Sequence, residues 1–167
     1  MTEAMTSSAG PWTTFKESPA SVRFLLLGVT VNQFGAFLQA FLVLYLVHRG
    51  FTKAQAGVAL GAYGVGAVIG ILLGGALADR LTPRVTIIVS MLWAAVFTFA
   101  VTCLGSYAAI VVVVLLAGAM TQAYRPAAAT LLTELVPPSR QVMVIAMNRL
   151  AMNLGMMFGP LAAAALT

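Results

Sequence analysis

The sequence predicts an all-α polytopic membrane protein with five transmembrane helices. Three observations carry that prediction. Hydrophobic residues make up 61% of the chain and charged residues only 8%, against about 25% charged residues in an ordinary soluble domain. The apolar residues run in five long blocks rather than in alternation, which selects helices over a β-barrel, whose strands need only about 9–11 residues. Nine of the thirteen formal charges fall in the N-terminal tail or in the short connections between blocks, and each block reaches the roughly 20 residues that a bilayer core of about 30 Å requires.

The elements follow in order. Residues 1–20 are polar and read as a cytoplasmic N-terminal tail. Span one exceeds a signal core in length, so no cleaved leader is expected. Residues 21–167 form the membrane part, with spans at Val22–Val47, Ala54–Ala78, Val85–Gly105, Tyr107–Leu135 and Val142–Ala165. The connections are so short that consecutive spans are expected to be antiparallel neighbours. Span two carries Gly66, Gly70 and Gly74 every four residues. Such a stripe lets two helix backbones approach where lipid offers no hydrophobic drive. Gly57 and Gly61 suggest a second packed face on the same span. Cys103 is the sole cysteine, which rules out an intrachain disulfide or a cysteine-rich metal site; it is expected mid-span as a packing residue. Span five holds Gly155, Gly159 and Pro160, and the proline should kink or loosen the helix there.

Charge position sets the expected orientation. Lys16, Arg23, Arg80, Arg84 and Arg140 fall on one side of the membrane and Arg49 and Lys53 on the other, with Arg125 and Arg149 inside spans. The positive-inside rule then places the N-terminus in the cytoplasm and, after five spans, the C-terminus outside. The net charge of +5 is therefore topological, and nucleic acid is not an expected partner; the bilayer is.

Polar residues inside the spans are the candidate functional groups. An arginine at a helix centre costs about 2.5–3.5 kcal/mol on insertion scales and therefore faces a cavity or a partner. At 1.5 Å per residue, Arg125 lies about 18 Å in from the cytoplasmic end, Arg149 about 13 Å and Asn32 and Gln33 about 15 Å. Gln122 and Arg125 share a face of span four, Asn32 and Gln39 a face of span one, and Arg149 and Asn153 a face of span five. No acidic residue lies deep in a span. His48, at the outer end of span one, reads as an interface residue. No Ser–His pair, intramembrane aspartate pair or metal cluster points to an enzyme, and no cofactor is expected.

The stretch Gly75-Ala76-Leu77-Ala78-Asp79-Arg80-Leu81-Thr82-Pro83-Arg84 resembles the signature G-x-L-a-D-R-x-G-R-[RK] of the major facilitator superfamily of secondary transporters. Gly75, Leu77, Asp79 and Arg80 match in place; Thr82 stands where a second glycine is usual, Pro83 replaces a basic residue, and Arg84 retains the last one. Gly155-x-x-x-Gly159-Pro160 is similar to the antiporter-associated G-x-x-x-G-P-x-x-G-G pattern, with Ala163 and Ala164 in place of its final glycines. Thr133 to Arg140 is similar to the usual link from span four to span five. Val114 occupies the place of a basic residue often found early in span four.

The resemblance implies a fold of twelve spans in two six-span halves with substrate between them. This chain matches spans one to five of the N-terminal half, so the sixth span and a C-terminal half are the implied missing partners. It implies that Asp79 is a latch residue and that spans one and four line a cavity, to which Asn32, Gln39, Gln122 and Arg125 are assigned; Glu134, at the cytoplasmic end of span four, is a candidate partner for Arg84. Arg149 and Asn153 either line it or brace span five. The implied function is transport of a small molecule in the plasma (inner) membrane, efflux or antiport by alternating access. A cavity with Arg125 and no acid suits an anionic or neutral solute. The alternative is a truncated, transport-inactive chain that associates with another membrane protein.

Overall fold

The computed structural model describes residues 19–34 and 38–164. Six helices account for nearly all of them: α1 Ala20–Phe34, α2 Leu38–His48, α3 Lys53–Arg80, α4 Pro83–Cys103, α5 Tyr107–Glu134 and α6 Pro138–Ala164. Spans two to five were expected within a few residues of α3 to α6. Within the expected first span, Val22–Val47, the described residues form α1 and α2. Residues 35–37 lie outside the described residues.

Among the described residues three helices are long and apolar enough to cross a membrane: α3, α4 and α5. Helix α1 contributes a shorter apolar stretch, Ala20–Thr30. Helix α6 is 27 residues long and carries Arg140, Gln141, Asn148, Arg149 and Asn153 among its described side chains. The 28 residues of α3 rise about 42 Å, more than a bilayer core of about 30 Å.

The chain divides into two compact units. One comprises α1, the end of α5 from Leu132, and α6. There Val22, Leu26, Leu132, Val136, Val144 and Met147 form the core, and α1 packs along α6. A Cβ on Gly155 would collide with the Cβ of Gln33 and the carbonyl of Thr30, so this glycine is the point of closest approach between the two helices. Gln141 donates through Nε2 to the Thr133 carbonyl at 3.0 Å, satisfying a free acceptor in the last turn of α5.

The other unit comprises α2, α3, α4 and α5 up to Leu131. Its core is Leu42, Leu46, Ala56, Ala59, Tyr63, Val101, Ile110 and Val114. The glycine stripe of α3 lies on α5. A Cβ on Gly66 would overlap the backbone of Leu115, on Gly70 that of Ala119, and on Gly74 that of Ala123. Both series of numbers rise together, so the two helices run parallel. Gly118 returns the contact against Tyr63. Gly57 and Gly61, expected on a second packed face, meet nothing within 4 Å. The residues that pack on that stretch of α3 are Ala56, Ala59 and Tyr63, one small step round the helix.

Local chemistry sets the turns. Gly50, at φ 91°, closes α2 as a Schellman motif: Phe51 N–H donates to the Leu46 carbonyl at 3.1 Å and Gly50 N–H to the Val47 carbonyl at 3.0 Å. Only glycine adopts this backbone without strain. Thr52 and Gln55 then form a capping box that starts α3, satisfying two orphan donors at once. Outward faces carry apolar residues such as Val58, Val65, Leu72, Ile88, Leu92 and Phe99, as a lipid-facing surface requires. Cys103 was expected mid-span; it ends α4 and is exposed, because α4 stops two residues before Gly105.

Candidate functional site

The site is built on the middle of α5. Gln122 and Arg125 are half-buried, one helical turn apart. Gln122 Oε1 and Arg125 Nε are buried with no hydrogen-bond partner. Between them Tyr124 is 2% exposed, and its hydroxyl is likewise buried and unpartnered. Pro126 lies inside the same helix. Having no N–H, it deprives the Gln122 carbonyl of its helical donor. Three side-chain groups in four residues thus lack partners within an apolar helix. An unmet buried donor or acceptor costs about 1–3 kcal/mol. The seam with α3 borders it, since Gly74 abuts Ala123.

Sequence reasoning picked out Gln122 and Arg125 but missed Tyr124 and Pro126. The signal was present: the run Gln122-Ala123-Tyr124-Arg125-Pro126 interrupts an otherwise aliphatic helix. The other candidates are placed differently. Asn32 is half-buried on α1, in the other unit. Gln39 belongs to α2, and its side chain lies outside the described residues. Arg149 and Asn153 are exposed on α6; the buried polar group there is Asn148, whose Oδ1 has no partner. Of the span-five glycines, Gly155 packs on α1. Gly159 and Pro160 fall within α6, and their surroundings lie outside the described residues.

The charged connection between α3 and α4 is compact and exposed. Leu81 N–H donates to the Leu77 carbonyl at 2.8 Å, closing α3. The next helix begins at once: Thr82 Oγ1 accepts from Val85 N–H at 3.3 Å, and Pro83 occupies the first helical position. A threonine cap followed by proline is a strong helix start. The two departures from the signature therefore have a structural role of their own. Gly75 is half-buried, while Leu77, Asp79, Arg80 and Arg84 are exposed. Among the described residues Asp79, Arg80 and Arg84 make no ion pair with one another. Glu134, the expected partner of Arg84, is exposed at the last residue of α5 and belongs to the other unit. Among the described residues no group of His, Cys, Asp and Glu is placed to hold a metal.

A family model described as Major Facilitator Superfamily matches residues 25–167. Comparison with curated proteins and with solved structures gave no match.

Proposed function

The chain belongs to the major facilitator superfamily, a family of transporters and not of enzymes, and from that premise we propose that α5 forms part of the wall of a solute path. One observation carries the reading: Gln122 Oε1, Tyr124 OH and Arg125 Nε are buried without partners on the helix that Pro126 interrupts. Groups left unmet in this way are available to a passing solute. The site carries a cation and no carboxylate, which favours an anionic or neutral small molecule. The span-five pattern Gly155–Pro160 supports export by antiport. All five expected spans cross the plasma membrane in this reading, and the cytoplasmic Asp79 connection acts as the latch, with Arg84 and Glu134 as partners.

Alternating access requires two bundles that rock about a site near the bilayer midplane. The described helices supply one wall, and an opposing bundle supplies the other. The test is solute flux in proteoliposomes holding the chain with an opposing half. Arg125→Leu is expected to lower flux at least tenfold at normal protein levels, and Gln122→Leu to shift the apparent KM. Unchanged flux and KM in both variants would sink the proposal.

A further inference from the structure

The larger unit holds a cavity unrelated to the groups on α5 just described. Its volume is about 560 Å³, within the range of about 300–1,000 Å³ typical of small-molecule sites. Leu42, Val101, Val114 and Ala117 form its apolar wall, and Tyr45 and His48 stand at one end. The deepest lining residue on α5 is Ala117; Gln122 lies about 7.5 Å further along the helix.

The end with Tyr45 and His48 carries a fixed cation. Arg49 Nη1 donates to the Leu104 carbonyl at 2.7 Å and to the Tyr45 hydroxyl at 3.2 Å, and the guanidinium sits 5.6 Å from the centre of the Tyr45 ring. These contacts join the end of α2 to the end of α4. They occupy Nη1 alone; Nε and Nη2 keep three N–H donors with no partner among the described residues. Lys53, the first residue of α3, is a second exposed cation, four residues further along the chain. No acid balances them: Asp79 is the sole carboxylate in residues 35–131, about 39 Å along α3 from Lys53. The site therefore combines an apolar slot with a pre-positioned, unneutralised cationic rim.

We propose that this cavity holds one acyl chain of an anionic phospholipid, with the lipid phosphate at Arg49 and Lys53. The apolar walls suit a hydrocarbon tail, which is the most abundant apolar ligand a membrane offers. The three free donors of Arg49 match phosphate oxygens. Because the guanidinium is already held by Leu104 and Tyr45, little side-chain freedom is lost on binding.

Native mass spectrometry of the detergent-purified chain tests this, with phosphatidylglycerol, phosphatidylcholine and tail-less glycerol phosphate as probes. A cation near a lipid surface contributes about fivefold in binding. Phosphatidylglycerol is therefore expected to exceed phosphatidylcholine at least fivefold, and glycerol phosphate to leave no adduct. Arg49→Gln should erase most of that preference. Thr98→Trp, which fills the slot, should lower retention of both lipids. Leu44 lines the slot and is 63% exposed, so Leu44→Asn adds no bulk and no charge and should lower phosphatidylglycerol retention even if the filled variant fails to fold. Equal binding of the two phospholipids, a preference that survives Arg49→Gln, or binding of glycerol phosphate alone would overturn the proposal.

Discussion

Gly70 and Gly61 sit on one helix, two and a half turns apart, and meet opposite fates. A Cβ on Gly70 would enter the backbone of Ala119, while one on Gly61 enters open space. Gly70→Ala is expected to cost about 1–3 kcal/mol, the usual range for overpacking, read as a lowered melting temperature in detergent. Gly61→Ala should leave it unchanged or raise it slightly, since alanine is the better helix former. A similar loss from both substitutions would contradict the α3–α5 seam. The four-residue spacing of Gly66, Gly70 and Gly74 made the stripe legible in the sequence. Spacing alone gave equal weight to Gly57 and Gly61, because a small residue marks a possible approach and says nothing of what approaches. Polar groups behaved alike: Gln122 and Arg125 stood out as charge and amide in apolar surroundings, whereas the orphaned hydroxyl of Tyr124 is visible only once its burial is known.

Helix boundaries were legible wherever chemistry marks them. Thr52 with Gln55 opens α3, Gly50 closes α2, and Thr82 with Pro83 opens α4. The threonine cap gives a prediction at this scale. Thr82→Ala should cost about 0.5–2 kcal/mol and speed amide exchange at Val85, whereas Thr82→Gly should cost only a few tenths. Equal exchange in all three proteins would remove the cap from the account. The second substitution also restores the glycine usual at this position of the signature, so stability and transport can be compared in one variant.

For the whole molecule, the charge distribution makes an orientation testable with the residue that nature supplied. Cys103 is exposed at the end of α4, and in the proposed orientation, with Arg80 and Arg84 on the cytoplasmic side, that end faces outward. A membrane-impermeant maleimide is expected to label Cys103 in intact cells. In a Cys103→Ala background, Ser139→Cys, in the connection between α5 and α6, should react only after permeabilisation. Labelling of Ser139→Cys in intact cells, with none at Cys103, would invert the topology. Helical class and membrane character were legible in composition and block length alone. The family was legible in the Gly75–Arg84 connection, the Thr133–Arg140 link and the Gly155–Pro160 pattern, and the family model matches residues 25–167.

The parallel seam between α3 and α5 also fixes an order of assembly. Its two sides are not neighbours in the chain: Gly74 and Ala123 are 49 positions apart, with all of α4 between them. At about 5–20 residues per second, a ribosome needs roughly 2–10 s to supply the second side after the first. During that interval the glycine face of α3 has no helix to meet and is filled by lipid or by the insertion machinery. The seam is thus a late-closing joint, and a nascent chain halted just after α4 should be far more exposed to degradation than one halted after α5.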